Sequence, residues 1–462
     1  MVRSAFSVLF LSVVVAAGCA IRFDLPAGDA SCRAAENGAA CDDGLCVDGT
    51  CCTGCVVDGR CLPGDQLVAC GLGGTACQVC DSGRSCVAGA CVVSMPATRP
   101  EVGAIHSCAM FGDAGHCWGE SRWGQLGRGP VNDDSVPAPV LLSGPLRLAP
   151  GQSHTCGIAE GDRLYCWGLG EEALGAAAGL VSDRPVLAFD DRGWSDVSAG
   201  YSYTCAIRDG TVECFGDGPE GQLGHAAVPS RAAVDLDVDA PMVGVSAGPY
   251  HACAWVGEDD GGAAFCWGRD EVGQIGSGEA AGSALTPRPV VDTSGATTGF
   301  RVVTAGTDHS CGIRSSGTLW CWGGNEWGQL GDGASDRAVA TEVSAMAGAG
   351  DWTDVSAGHF FTCGVRGGGL FCWGANGSRQ LGEGTEEETR SEPTPIAHPD
   401  GRRWVEVDAS RSREVLPGVP TGHVCATDDI GELYCWGSQS HGQVGLPQTT
   451  NPRAAPSRVR PP

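Results

Sequence analysis

The chain contains no lysine, so all 29 of its basic residues are arginine, set against 55 Asp and Glu for a formal net charge of −26. That balance argues against a general nucleic-acid binder, which needs a basic face to displace counterions from phosphate. Without lysine there is also no phosphate loop of the Gly-Lys-Ser/Thr kind. No Gly-x-Ser-x-Gly elbow and no His-Glu-x-x-His helix occurs, which removes the usual signatures of a serine hydrolase and a zinc protease. Beyond the N-terminus no apolar run approaches the ~20 residues needed to cross a bilayer. Charged residues make up only 18% of the 462 positions, a length that accommodates two or three domains.

What the chain has in abundance is glycine, 73 residues, and cysteine, 27 residues. The odd cysteine count finds an explanation at the N-terminus. "MVRSAFSVLFLSVVVAAGC" carries one early cation, Arg3, then an apolar run from Ala5 to Ala17 and small residues directly before Cys19. That is the pattern of a secretory signal segment. Its end, Ala16-Ala17-Gly18-Cys19, resembles a bacterial lipobox, which implies cleavage before Cys19 and lipidation of that residue. Several acyl chains on one residue make a stable anchor where a single chain is marginal. The remaining 26 cysteines are an even number, as disulfide pairing in an oxidising compartment requires. The expected organisation is a signal peptide over 1–18, a tether over 19–31, a Cys-rich module over 32–91, a linker over 92–100 and a repeat domain over 101–462. The Cys-rich module holds twelve cysteines, almost no apolar stretch and no histidine. Such a segment cannot build a core unaided and is expected to rest on disulfides rather than zinc.

The repeat domain is read from cysteine pairs that each straddle a short polar turn. They are Cys108 and Cys117, Cys156 and Cys166, Cys205 and Cys214, Cys253 and Cys266, Cys311 and Cys321, Cys363 and Cys372, and Cys425 and Cys435. An aromatic residue and glycine follow each second cysteine, the aromatic being Trp118, Trp167, Phe215, Trp267, Trp322, Trp373 or Trp436. Seven copies at a period of 48 to 63 residues point to a propeller or a solenoid. Each copy reads as four short strands. In the third, "WSDVSAG" (194–200) is followed by "YTCAI" and "VECFG" around Asp209-Gly210, a strong hairpin signal. Strand alternation puts Leu164 and Cys166 on one face and Tyr165 and Trp167 on the other. The cysteines then meet across the hairpin as a disulfide, and each tryptophan packs into the neighbouring unit. Metal binding by these pairs is the poorer reading.

The combination "AG..HTC", "CWG" and "GQLG" at this period resembles the repeats of the regulator of chromosome condensation family, in a disulfide-bearing bacterial version, over residues 101–462. The resemblance implies an all-β fold, a seven-bladed β-propeller, here preceded by the small disulfide-rich module. The outer-strand pattern Pro-x-x-Val, as in "PRPVV" (287–291), returns at the end of the chain in "PSRVRPP" (456–462). We therefore expect the last strand to complete the first blade and close the ring. The family's nucleotide-exchange activity is not expected here, because it needs a cytoplasmic GTPase and this chain carries an export signal.

No catalytic site emerges from comparing the seven copies. The histidine two positions before the first cysteine is His106, His154, His251, His309 or His423, but it becomes Tyr203 and Phe361 in the other two copies. A residue that Phe can replace serves packing or a strand-end hydrogen bond, not proton transfer. "VDLDVDA" (234–240) lacks the glycine and distal Glu of a calcium loop and reads as a solvated strand face. No cofactor is implied.

Partner binding falls to the loops. The link 410–422 is longer than its counterparts and brings Arg411 and Arg413 near Arg402 and Arg403 in sequence, a local basic cluster in an acidic protein. "VGEDDGGAA" (256–264) lengthens the fourth hairpin on the opposite face. Trp123 and Trp327 sit in the loops before GQLG, where an aromatic can stack on a sugar. The leading expectation is a non-enzymatic protein-interaction module anchored to the cell envelope or outer membrane. A protein inhibitor is its nearest variant. A glycan-binding or glycan-cleaving protein and a passive coat are the alternatives.

Overall fold

The computed structural model describes residues 97–460 apart from 171–172, 176–180, 226–230, 235, 237–239, 258–260, 281, 298, 334, 344–349, 412–421 and 448–450, together with the backbone of short strands between residues 40 and 93. The chain divides into two units, Met1–Ser94 and Met95–Pro462. In the first, the strands form one three-stranded and three two-stranded sheets, and their register sets Cys46 opposite Cys51 and Cys86 opposite Cys91. Cys19, the signal segment and the disulfide pairing expected in 32–91 lie outside the described residues.

The second unit consists of seven four-stranded antiparallel sheets, each made of four consecutive strands. It is a seven-bladed β-propeller. The inner strands are Ala97–Val102, Pro145–Pro150, Trp194–Ala199, Met242–Ala247, Phe300–Ala305, Trp352–Ala357 and Trp404–Ala409. The second and third strands of each blade form the cysteine hairpin, and the two cysteines of every pair are directly opposite in register. Disulfides join Cys108 to Cys117, Cys156 to Cys166, Cys205 to Cys214 and Cys253 to Cys266 in blades one to four. Blades five to seven carry Cys311 bonded to Cys321, Cys363 to Cys372 and Cys425 to Cys435. The bonded Cα atoms are 4.0 to 4.2 Å apart. That close approach belongs to the non-hydrogen-bonded positions of an antiparallel ladder, where side chains lie nearest.

The core is not one mass but seven wedges, each between two neighbouring blades. Leu164, Cys166 and Leu174 of blade two meet Trp194, Val197 and Phe215 of blade three. The same pattern repeats around the ring to the last wedge, where Leu433, Cys435 and Val444 of blade seven meet Ala97, Phe111 and Trp118 of blade one. Two glycines of the repeat make this fit. The Gly after each Trp has φ near 100°, and a Cβ on Gly168 would sit 2.6 Å from the Cα of His154. A Cβ on the last Gly of GQLG, at Gly127, would strike the indole of Trp167 in the next blade at 2.6 Å. Glycine is required at both because the φ is left-handed and the space is taken.

The ring closes differently from the sequence expectation. Arg453–Arg458, the last strand, pairs with Leu433–Gly437 inside blade seven. Blade one has its own outer strand, Asp134–Pro139, and its own inner strand, Ala97–Val102, which takes up residues expected as linker. Pro100 sits in a bulge of that strand, where the register slips between Thr98 and Glu101. A bulge is where a strand tolerates proline. Among the described residues no strand crosses the seam. It is held instead by the last apolar wedge and by cross-blade bonds: Ala97 N–H to the Gly431 carbonyl at 2.7 Å, Val102 N–H to Asp408 Oδ2 at 2.6 Å and Arg99 N–H to Glu406 Oε2 at 2.8 Å.

Candidate functional site

The up-and-down strand order gives the ring two ends. One carries the hairpin turns. The other carries the links between first and second strands and the GQLG loops, and is called the loop face here. The repeated histidines lie just beneath it. His106, His154, His251, His309 and His423 each place Nε2 2.8 to 3.0 Å from a hydroxyl of the next blade: Thr155, Thr204, Ser310, Thr362 and Ser107 respectively. Thr155 donates onward to the carbonyl of Gln125 in a GQLG loop, and the Trp167 indole N–H donates to the same oxygen, both at 2.8 Å. Ser310 with Trp322, Thr362 with Trp373 and Ser107 with Trp118 repeat the arrangement on Gln274, Gln329 and Gln443. Because the hydroxyl proton is committed to the carbonyl, the imidazole donates. Histidine, hydroxyl, tryptophan and loop are thus one inter-blade joint.

The joint holds four of its imidazoles neutral. Burial pushes His106, His251 and His309 down to about 3 and His154 to about 4. The unfolded chain therefore takes up protons first as pH falls, and stability is lost from pH 6.5 downward until the folded values are reached. Each such histidine removes about 2 kcal/mol between pH 7 and pH 5. Phe361 shows that a ring alone fits the slot. His309→Phe is expected to cost about 1–2 kcal/mol at pH 7.5 through the lost bond to Thr362, and the gap from wild type should close near pH 5. Urea midpoints at the two pH values test this, and an equal gap at both would refute it.

On the ring axis, the inner strands enclose a channel with a cavity of about 390 Å³. Side chains of one inner strand accept backbone N–H groups of the next: Ser198 from Ala247, Ser246 from Ala305, Thr304 from Ala357, Ser356 from Ala409 and Asp408 from Val102, at 2.6 to 3.2 Å. The relay breaks at blade two, where Pro150 has no N–H to give and Ala149 has no acceptor. Arg147 fills that gap, pairing with Glu101 at 3.9 Å on one side and Asp196 at 2.7 Å on the other. Burial raises the Glu101 carboxyl against the pull of Arg147, and raises Asp354 to about 7 against the N–H groups of Val407 and Val355.

The structure separates the expected basic cluster. Arg402 and Arg403 precede the inner strand of blade seven and Arg411 follows it, so a six-residue strand, about 20 Å long, stands between them. Arg402 faces Asp428 at 3.8 Å near the hairpin end, and Arg403 is exposed there. Arg411 instead reaches into the mouth of the channel, donating to Asp408 at 3.3 Å and across to Ser198 of blade three at 3.4 Å. Its carbonyl accepts the Thr307 hydroxyl of blade five at 2.5 Å. Proximity in sequence misled because a strand holds its two ends apart. Arg413 and most of link 410–422 lie outside the described residues, as do 258–260 of the fourth hairpin and all three acidic positions of "VDLDVDA".

Trp123 and Trp327 are half-buried on the loop face. The Arg122 guanidinium lies 5.0 Å from the Trp123 ring centre, and Trp327 stacks on Phe360 at 6.4 Å. Sequence reasoning missed the rest of this surface. Tyr201 stacks on Tyr250 at 6.1 Å, and Arg269 lies over Tyr250 at 5.5 Å. Phe360 has φ of 62°, a left-handed conformation that is an outlier for a bulky side chain. The signal was available: Tyr201, Tyr250 and Phe360 occupy the short links between Ala-Gly or its equivalent and the histidine slot, where the repeat places no packing demand. No group of three or more His, Cys, Asp or Glu set to hold a metal occurs among the described residues.

Seven wedge cores, consecutive four-stranded blades and Trp-to-GQLG joints define a repeat-built seven-bladed β-propeller with its variable side chains on one face. The chain belongs to the family of the RCC1-like domain, whose model matches residues 114–462. It is similar to the ultraviolet-B receptor UVR8 of Arabidopsis thaliana, 28% identical over 367 residues, or 76% of this chain and 78% of that protein. It is also similar to the human E3 ubiquitin-protein ligase HERC2, 26% identical over 74% of this chain but only 7% of that protein. Among solved structures the fold matches human WBSCR16 with a TM-score of 0.64 at 20% identity, covering 75% of this chain and 94% of that one. It matches Prp20p of Saccharomyces cerevisiae with a TM-score of 0.62 at 19% identity, covering 80% and 88%.

Proposed function

We propose that the chain is an exported, envelope-anchored lipoprotein whose propeller acts as a non-enzymatic protein-interaction module through its loop face. The observation that carries this reading is the set of partly exposed aromatics at the links and GQLG loops, with Phe360 held in a strained backbone. Aromatic and arginine side chains are enriched at interface hot spots, and strain of this kind gathers at binding sites. Relatives of the same fold are recorded with protein partners: Prp20p with Gsp1p and histones, and yeast RCC1 with Kap60. The repeated histidines are committed to joints between blades, which supports binding over proton-transfer chemistry. Export is supported by the apolar run before Cys19 and by the seven disulfides, which need an oxidising compartment to persist. A cytoplasmic exchange partner does not fit that location.

Affinity capture from the envelope and culture fluid of the producing cell tests the reading. The full chain is compared with a Trp327→Ala/Phe360→Ala variant and with a chain whose 412–421 is replaced by Gly-Ser. We expect a protein retained by wild type and lost from the double variant, with affinity falling about 30-fold or more. Equal retention by all three chains, or retention of polysaccharide alone, would overturn the proposal.

A further inference from the structure

The aromatics of the loop face do not stand alone. Across blades three to five they are interleaved with carboxylates. Glu271 and Glu326 occupy the same repeat position, two residues before the glycine of GQIG and GQLG, and both are exposed. Blade one has Arg122 at that position. Glu220, next to the GQLG of blade three, reaches the Ser283 hydroxyl of blade four at 3.3 Å. Asp308 lies on the link of blade five, between Tyr250 and Trp327 in the order of the ring. Burial raises its carboxyl, Arg269 opposes, and Glu271, Glu326 and Asp336 add to the rise, so these acids share one neighbourhood. Arg269 offsets part of this charge by pairing with Glu271 and lying 3.8 Å from Asp308.

We propose that this arc, from Tyr201 and Tyr250 through Glu271, Asp308 and Glu326 to Trp327 and Phe360, docks a Lys/Arg-rich segment of a protein partner. The proposal rests on the interaction-module reading above and names the chemistry of what that face takes. Charge complementarity selects a cation. The aromatic rings then hold it, because a ring face attracts guanidinium and ammonium groups. The protein already uses this contact within itself, in Arg269 over Tyr250 and Arg122 over Trp123. A chain without lysine supplies no flexible ammonium of its own to compete for the site.

The test is binding of a short oligolysine peptide to the full chain, followed by calorimetry, with oligoglutamate as the control. Two charge-matched variants separate the arc from the overall negative field: Glu220→Gln/Glu271→Gln/Glu326→Gln on the loop face, and Asp113→Asn/Glu160→Gln/Asp429→Asn at exposed hairpin turns of the other face. A third variant, Tyr250→Ala/Phe360→Ala, removes rings without changing charge. Thermal melts confirm that each variant is folded. We expect the loop-face and ring variants each to lose about tenfold in affinity while the hairpin variant stays within twofold of wild type. Equal losses in the two charge variants, or no binding to wild type, would overturn the arc. If the protein captured through Phe360 and Trp327 is held equally by the Glu→Gln variant, the interaction module stands and its cationic partner falls. If nothing is captured through that face, both fall.

Discussion

Refolding in reductant is expected to fail: with its seven propeller disulfides broken, the domain should remain unfolded at 25 °C. Each disulfide closes a loop of 9 to 13 residues and contributes about 2.5–3 kcal/mol in the chain-entropy model. Seven such constraints together exceed the roughly 5–15 kcal/mol by which domains are usually stable. The blades are individually thin, and each wedge core needs both neighbours in place before it is buried, so losing one hairpin weakens two interfaces. The bonded sulfurs belong to cysteines almost wholly excluded from solvent. Reductant added to the native protein should therefore act slowly, and the experiment is best run from the unfolded state. Circular dichroism and tryptophan fluorescence after dilution from guanidinium, with and without dithiothreitol, give the answer. A cooperative melt of the reduced chain near that of the oxidised chain would refute it.

The second large effect is expected at the seam. Trp118→Ala should cost about 3–5 kcal/mol, the usual range for emptying a large aromatic site, and also leaves the Gln443 carbonyl without its indole donor. Trp118 packs into the wedge formed with Val444 and Val459 of blade seven, where no exchanged strand reinforces the contact. Blade three provides the internal control. Phe215 fills the same slot and packs on blade two without an N–H, so Trp118→Phe should cost only about 1–2 kcal/mol. Urea midpoints measure both costs, and small-angle scattering shows whether the Ala variant opens. Equal costs for Ala and Phe would mean that burial of the ring does not hold the seam.

The repeat made much of this architecture legible, because cysteine spacing, Asp-Gly turns and the Trp-Gly pair are local signals. The disulfide partners, the hairpins and the packing of each tryptophan on a neighbouring blade follow from strand alternation together with these turns. Closure was not legible, for a specific reason. The outer-strand pattern of "PSRVRPP" also occurs at Pro137–Val140 in blade one and Pro287–Val290 in blade four, so it marks an outer strand without saying which blade the last one joins, and the inner strand of blade one is disguised by Pro100 in its bulge. The grouping of Arg402 and Arg403 with Arg411 failed because closeness along a chain is not closeness in space when a strand intervenes. The channel relay and the aromatic–acidic arc were invisible for the converse reason. Their members, such as Asp408 and Val102, or Trp327 and Phe360, are far apart in sequence and meet only when seven blades share one axis.

The order of the disulfides bears on how the molecule is made. Along the propeller every cysteine is joined to its immediate neighbour in the cysteine series, as Cys205 is to Cys214 and Cys363 to Cys372, never to one further on. A polypeptide emerging from a pore one end first presents its thiols in that same order. The first partner each thiol meets is then the correct one, and a simple oxidant suffices where an interleaved pattern would need repeated shuffling. Because no strand waits for the far terminus, each hairpin can be sealed as it appears, and the ring is assembled from parts already locked.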